Sequence, residues 1–241
     1  MHQYWVKEIR VMPGRGKIFE LLDFPKFAYP SVVGMDAAQT SQNLIERLGG
    51  GGFMSYTSIW PRMAAIVEGR ATEAFIENEF GFYKETWKNE SIRDAVRLLK
   101  KHFGGRGTWY SLPTKPIFVL GFLFKPSIKG IWFVDGQAYA VLINARKHQR
   151  LFPEHLRFLA RGIYELHCID DPNDPIPLIV DLSEHDLGEG RVLNVHVIPA
   201  DNAISLDAFD SAVREFVRAL ELAGVALATP DGAIIDLFRR R

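Results

Sequence analysis

The segment Gly130–Arg150, GIWFVDGQAYAVLINARKHQR, constrains the fold more than any other part of the chain. Two runs rich in apolar and aromatic residues flank Asp135-Gly136, and an Asp-Gly pair between such runs is typical of a tight β-hairpin turn. The second run ends in Asn144 and leads through Arg146 into a basic stretch. The sequence therefore predicts two adjacent antiparallel strands with polar side chains at the end of the second strand.

The segments around this hairpin alternate between helical and strand periodicity. Helical spacing of apolar residues runs through residues 62–103, 153–167 and 205–223. Apolar or alternating runs favour strands at 177–183 and 191–198, and KPIFVLGFLF, residues 115–124, is apolar enough to predict a central strand. This order predicts an α/β protein of the mixed α+β type, in which helices flank a central mixed sheet.

Four consecutive glycines, Gly49–Gly52, mark the point of greatest backbone freedom in the chain. They divide an N-terminal segment, residues 1–52, from a main α/β domain, residues 53–241. We expect the N-terminal segment to pack on the main domain or to be linked to it. Near the other end, residues 225–238 have the pattern of a hairpin about a Pro-Asp-Gly turn.

Composition limits the class of partner and the compartment. In 241 residues the basic and acidic side chains balance to a formal net charge of zero, so binding to nucleic acid or an anionic membrane needs a local patch. Cys168 is the only cysteine, which fits a small buried side chain in a reducing compartment. The first residues lack the apolar core of a signal peptide, and no apolar run approaches the ~20 residues of a membrane span. We therefore expect a cytoplasmic protein with no membrane partner.

One predicted helix, SIRDAVRLLKKHFGG, has an apolar and a basic face. Ser91 is placed to cap it, and an apolar stripe is predicted to be buried: Ile92, Ala95, Val96, Leu99 and Phe103. The other face and the next loop carry cations: Arg93, Arg97, Lys100, Lys101 and Arg106. This face can be simply solvated, because the helix macrodipole favours cations near the C-terminus.

A second basic group follows the hairpin and consists of Arg146, Lys147 and Arg150. If the helix packs beside the hairpin, the two groups could merge into one positive surface on a neutral protein. Such a surface would contact phosphates or an acidic partner without reading base sequence.

The hairpin, the next helix and the next strand resemble the core of the PD-(D/E)XK nuclease superfamily, the restriction-endonuclease-like fold. The resemblance covers roughly residues 79–183. It implies that Asp135 stands for the family's first acidic residue, that Asn144-Ala145-Arg146 stands for its Glu-x-Lys, and that Glu85 or Glu90 stands for a glutamate on the preceding helix. In that family these groups support metal-dependent cleavage of nucleic acid.

The residues at these positions do not form a complete active site. Two carboxylates are needed to hold a hard divalent cation, whereas Asn144 offers a neutral carbonyl oxygen. Arg146 stays protonated and cannot act as a base, and the turn alone explains Asp135. The sequence therefore predicts no catalytic residue, no bound metal and no cofactor, and it favours a protein that is not an enzyme.

Other polar residues point to a site only by residue type. Two histidines and three acids could gather near neighbouring strand ends: His185, His196, Asp181, Glu184 and Asp186. They lack the spacing of a recognised metal motif, and positions in a surface loop explain them as well. Ser183 has no Gly-x-Ser-x-Gly context that would expose a nucleophile.

Two hypotheses from different classes follow. The first is a non-catalytic or atypical nucleic-acid-associated domain on a nuclease-like scaffold, which binds phosphates through the basic helix face. The alternative is a non-enzymatic protein-interaction subunit of a larger assembly. Aromatic residues serve either hypothesis, because rings outside the core can stack on bases or anchor a protein interface: Phe80, Phe82, Tyr83, Trp87, Trp109 and Tyr110.

Overall fold

The computed structural model describes residues 19–29, 32, 34–48, 56–112, 117–119, 122–125, 127–184, 188 and 190–225, with the backbone alone for residues 117–119 and 122–124. Gly49–Gly52 and residues 226–238 of the predicted C-terminal hairpin lie outside these ranges, as do His185 and Asp186.

Helices and strands alternate along the described chain. The helices are α1 (Asp23–Phe27), α2 (Ala37–Leu48), α3 (Met63–Val67), α4 (Glu73–Glu79), α5 (Thr86–Phe103), α6 (Pro153–His167) and α7 (Leu206–Leu222). The strands are β1 (Phe19–Glu20), β2 (Thr108–Ser111), β3 (Ile117–Val119), β4 (Phe122–Lys125), β5 (Ile128–Val134), β6 (Gln137–Asn144), β7 (Ile176–Asp181) and β8 (Asn194–Val197). None of the helices in the described ranges is long and apolar enough to cross a membrane.

A five-stranded mixed sheet in the order β2-β5-β6-β7-β8 forms the centre of the molecule. Strands β5 and β6 pair antiparallel about Asp135 and Gly136, whose φ values of 49° and 80° are those of a tight hairpin turn. Strands β6 and β7 are parallel, because α6 carries the chain back across one face of the sheet. The predicted mixed α+β class and the predicted hairpin are confirmed.

The two faces of the sheet bury alternate residues of the central strands. On β6, Val141 and Ile143 pack with α3, α4 and α5, whereas Ala140 and Leu142 pack with α1, α2, α6 and α7. This alternation is the period of two that a strand buried on both faces requires. The two covering layers place α5 and α6 on opposite sides of the sheet.

The described part of the N-terminal segment, residues 19–48, belongs to the core on the α6 side. The ring of Phe24 in α1 stacks on Phe216 of α7 with centroids 4.2 Å apart, and Leu44 of α2 is fully buried. Strand β1 pairs in parallel with β4 in a separate three-stranded sheet, order β1-β4-β3. The described residues of this segment therefore share one hydrophobic core with α6 and α7.

Two local expectations need correction. The run KPIFVLGFLF does not form a central strand, because β3 and β4 fold back on each other in the smaller sheet. An apolar run indicates burial but does not set the number of strands. The α5 helix begins at Thr86, so Ser91 lies inside the helix and does not cap it. The Ser91 hydroxyl instead contacts Tyr56 and Arg191.

Candidate functional site at the carboxyl edge of the sheet

The parallel strands β6 and β7 end side by side with a polar residue each. Asn144 lies directly opposite Asp181 in the strand register. Both are buried, at 0% and 3% exposure. The carboxyl ends of parallel strands meet at one edge of a sheet, and ligand sites of α/β proteins are common there. The carboxyl edge of the sheet is therefore the candidate functional site.

Asn144 and Asp181 are joined in a closed hydrogen-bond network, here called the carboxyl-edge network. The Asn144 amide Nδ2 donates to Asp181 Oδ1 at 2.8 Å and to the Gln149 carbonyl at 2.6 Å. Asp181 also accepts from the backbone N–H groups of Ser183 and Leu151, each at 3.1 Å. The Asp181 carboxylate thus ties together both strand ends and the loop that starts α6.

This network holds the two strand ends and the loop before α6 together, and its arrangement does not resemble a metal centre. The Asn144 Oδ1 oxygen is taken up by the Arg146 N–H at 3.2 Å. Within the described residues, no three histidine, cysteine, aspartate or glutamate side chains converge on a point that could hold a metal ion. The polar atoms of Asn144 and Asp181 are therefore bonded to each other and to the backbone.

Glu184 is a second buried acid at this edge. Its side chain is 3% exposed and is paired with Lys147 Nζ at 2.7 Å and with His148 Nδ1 at 3.1 Å. The Lys147 ammonium in this ion pair holds the pKa of Glu184 below its usual range, and His148 acts in the same direction. The predicted phosphate-binding residue Lys147 therefore already has a carboxylate partner.

Glu184→Gln is expected to remove part of the acid sensitivity of the fold. Because the folded-state pKa of Glu184 lies below the ordinary 4.5, its carboxylate stabilises the fold at higher pH. This contribution is lost as the pH falls through the folded value. Urea unfolding of wild type and variant between about pH 6 and pH 3 measures the difference.

The control for this experiment is Glu221→Gln, which changes an exposed glutamate at the end of α7. It should leave the acid dependence as in the wild type, because Glu221 is exposed and exposed charges contribute little to folding. An acid dependence of Glu184→Gln equal to that of the wild type would show that the pairing adds nothing to stability.

Arg191 links the carboxyl edge of the sheet to the helical layer that contains α5. Its Nη1 donates to the carbonyls of Ala145 at 2.8 Å and Leu182 at 3.0 Å, which lie just beyond the two strand ends. Its Nη2 donates to Ser91 Oγ at 3.0 Å and to the Tyr56 hydroxyl. Sequence reasoning missed Arg191 and Tyr56, because the partners are 135 residues apart in the chain.

Arg146 is held on the other side of the edge by the N-terminal segment. Its guanidinium donates to Asp23 Oδ1 at 2.6 Å and to the Leu22 carbonyl at 3.2 Å. Lys129, on β5, is buried beside Glu20 with its Nζ 3.7 Å from Oε1, and burial lowers the pKa of this lysine. Arg146 therefore docks α1 onto the main sheet.

The structure does not bring together the residues that the nuclease resemblance assigns. Asp135 is exposed at the hairpin turn, at the far end of β6 from Asn144. A strand of eight residues separates them, which is roughly 24 Å at about 3.4 Å per residue. Glu85 and Glu90 lie near the start of α5, where they pair with Lys88 and Arg93. Asp135 and Asn144 therefore lie at opposite ends of β6 and do not share a site.

His196 and Cys168 do not lie in an arrangement that suggests catalysis. His196 lies on β8 opposite Ile179, and burial lowers its pKa although the charge of Asp181 opposes this. Cys168 is buried at the end of α6. Burial, with Asp171 and Asp174 nearby, raises the pKa of its thiol to about 12, so the nucleophilic thiolate does not form near neutral pH.

The basic face of α5 is covered by acids of the neighbouring helix α4. Arg97 pairs with Glu73 at 3.1 Å and with Glu77 at 2.7 Å, and Arg93 pairs with Glu77 at 2.9 Å. Lys100 lies 3.4 Å from the same Glu73. The Arg97 hydrogen bond lowers the pKa of Glu73. The expectation of an exposed stripe of four cations is corrected, because α4 supplies counter-charges that the α5 sequence alone could not reveal.

One residue from each predicted basic group, Arg106 and Arg146, can be placed at different ends of the sheet. The Arg106 carbonyl accepts from Trp132 Nε1 at 2.7 Å, which places Arg106 toward the hairpin turn. Arg146 lies at the carboxyl edge. Lys101, Arg106 and Arg150 are exposed, and their role in binding a partner stays a prediction.

Sequence comparison assigns the chain to no family. The chain matches no known protein-family model, and no curated protein shows significant similarity to it.

Proposed function

We propose that this protein is a non-enzymatic protein-interaction domain built on a nuclease-like scaffold. The observation that carries the proposal is the closed carboxyl-edge network, in which Asn144 and Asp181 use their polar atoms on each other and on the loop. The order of α5, the β5–β6 hairpin, α6 and β7 supports the scaffold that the resemblance implies. In this chain, the positions that the resemblance assigns to a metal site do not provide a pair of carboxylates.

The charge distribution supports a protein partner over a phosphate backbone. Three of the cations proposed for phosphate binding on α5 pair with Glu73, Glu77, Glu90 or Asp94, and Lys147 pairs with Glu184. A polyanion would have to displace these carboxylates and then lie beside them. Protein interfaces tolerate balanced charge at the rim, because their energy is concentrated in buried anchors.

A cleavage assay tests the non-enzymatic part. The purified protein, supplied with Mg²⁺ or Mn²⁺, is expected to leave plasmid DNA, single-stranded DNA and RNA intact. Arg146→Met and Asp135→Ala serve as paired variants, because they alter the two ends that the resemblance joins. Metal-dependent cleavage that copurifies with the wild type and disappears in either variant would refute the proposal.

Salt dependence tests the class of partner. A partner identified by crosslinking in cells and then purified should still bind at about 1 M salt, where the Debye length is ~3 Å, because apolar burial is not screened. A complex that dissociates steeply with rising salt would count against an apolar interface.

Association with nucleic acid is the second candidate, and the exposure of Lys101, Arg106 and Arg150 favours it. Binding of labelled single-stranded and duplex DNA, measured by fluorescence anisotropy at low salt, tests it directly. The matched variant is Lys101→Glu with Arg106→Glu, which leaves the Arg97 ion pairs intact. Affinity that falls steeply with salt and is lost in this variant would favour nucleic acid over a protein partner.

A further inference from the structure

The segment that follows α4 and includes the first residues of α5, residues 81–88 and here called the aromatic turn, displays two large rings to solvent. Phe82 is 56% exposed and Trp87 is 61% exposed. Their neighbours Phe80 and Ile92 are fully buried, so both ends of the turn are anchored in the core. Exposed tryptophan and phenylalanine side chains on an anchored segment are typical of interface hot spots.

A buried amide holds the aromatic turn in one conformation. Asn89 is 7% exposed, its Oδ1 accepts from the Tyr83 N–H at 3.0 Å, and its Nδ2 donates to the Tyr83 carbonyl at 2.9 Å. These two bonds clamp the backbone on both sides of the Tyr83 residue. The Phe82 ring also rests against the Tyr83 ring with centroids 4.6 Å apart. A surface that is ordered before binding loses less entropy when a partner docks.

The charges around the rings indicate the chemistry of the occupant. Lys88 pairs with Glu85 at 2.8 Å and Arg93 pairs with Glu90 at 2.7 Å, so these four charges cancel locally. Lys84 is exposed and has no ion pair within the described part of the chain. The rim therefore offers one cation to a partner, whereas binding to a run of phosphates depends on several cations.

We infer that the aromatic turn docks a protein segment that presents an apolar side chain next to a carboxylate. The apolar group packs on Phe82 and Trp87, and the carboxylate pairs with Lys84. This inference rests on the proposed function, because it names the site and the chemistry of the partner of an interaction domain.

A displayed library of random linear peptides is the probe for this site. Selection on the wild type, with counter-selection on Phe82→Ser with Trp87→Ser, should enrich peptides that carry an aliphatic or aromatic residue beside Asp or Glu. For a synthetic peptide from that pool, Trp87→Ala should weaken Kd at least about 30-fold, as expected of a hot spot. Lys84→Glu should weaken it about tenfold, because attraction of the carboxylate becomes repulsion.

The matched control is Tyr110→Ala, which removes a ring of 59% exposure on the opposite face of the sheet from α5. It should change Kd by less than about twofold, since energetically neutral surface residues contribute little. The exposed variants should unfold at the wild-type temperature, which separates lost contacts from lost folding.

Three results would overturn the inference. They are a pool without acidic residues beside apolar ones, peptide binding that survives Trp87→Ala, and labelled oligo(dT) or oligo(U) binding that Trp87→Ala abolishes. After either of the first two results, the proposed function is still supported if a purified partner binds at high salt. Failure of the proposed function appears separately, as cleavage or as salt-sensitive binding to nucleic acid.

Discussion

Gly107→Ala is expected to lower the free energy of unfolding by about 3–5 kcal/mol, whereas Gly105→Ala should lower it by only about 1–2 kcal/mol. Both glycines lie between α5 and β2 with nearly the same left-handed φ, +73° and +71°. A Cβ on Gly105 would meet nothing within 4 Å, but one on Gly107 would lie 2.1 Å from the Phe133 carbonyl oxygen. The difference therefore isolates the clash with a backbone atom of β5 from the cost of the backbone conformation.

Urea unfolding followed by circular dichroism measures both variants. The clash acts at the start of β2, where Thr108 pairs with Phe133, so Gly107→Ala should also expose Trp109 and shift its fluorescence. Equal losses of stability in the two variants would show that β5 can move aside, which would contradict the tight packing of this edge of the sheet.

Asn144→Asp is expected to destabilise the fold by about 3–5 kcal/mol at neutral pH. The change replaces the Nδ2 donor with an oxygen that faces Asp181 Oδ1, where the present separation is 2.8 Å. It also leaves the Gln149 carbonyl without its donor. Two adjacent buried carboxylates cannot both ionise cheaply, so one of them takes up a proton with a raised pKa in the folded state.

The sign of the pH dependence follows from that raised pKa. The penalty of Asn144→Asp is full at neutral pH and is relieved as the pH falls through the raised folded-state value toward the ordinary aspartate range near ~3.9. Urea unfolding at several pH values measures it. The exchanged variant, Asn144→Asp with Asp181→Asn, restores one amide and one carboxylate and should recover at least half of the loss. If Asn144→Asp were as stable as the wild type at neutral pH, the structural role of the carboxyl-edge network would be contradicted.

This second prediction bears on function as well as on stability. If the Asn144 position were a site under chemical use, its substitution would change an activity before it changed folding. The carboxyl-edge network instead predicts that the main effect is on the free energy of unfolding. Interaction through a separate surface, the aromatic turn, is consistent with an edge that is closed by its own side chains.

Several features of the fold could be predicted from local pattern. The Asp135-Gly136 turn was predicted because few residue pairs adopt positive φ at both positions. The bounds of α6 follow from Pro153 at its first turn and its apolar stripe, and those of α7 follow from Ser205, whose hydroxyl accepts from the Ala208 N–H at 3.2 Å. These signals act within one or two turns of chain, where sequence distance and spatial distance agree.

The candidate site could not be predicted in the same way. The α5 sequence correctly predicted its buried stripe, since Ile92 and Leu99 are fully buried, but it could not predict that Glu73 and Glu77 of α4 would neutralise Arg97. The hairpin sequence predicted that Asn144 ends a strand, but it could not identify Asp181, 37 residues away, as the partner. In both cases the partner is chosen by which elements pack together.

The sequence by itself determined the β5–β6 hairpin, the helical character of α5, α6 and α7, the buried stripe of α5 and the absence of a carboxylate at Asn144. Those properties depend on side-chain chemistry and on periods of two or 3.6 residues, which are written locally in the chain. Only the tertiary structure decided which charges are free and which are paired. It also separated Asp135 from Asn144 by the length of a strand and left Phe82 and Trp87 in solvent while Phe80 is buried. The physical reason is that a counter-charge or a covering layer comes from distant segments, and their arrangement is set by burial of the whole core.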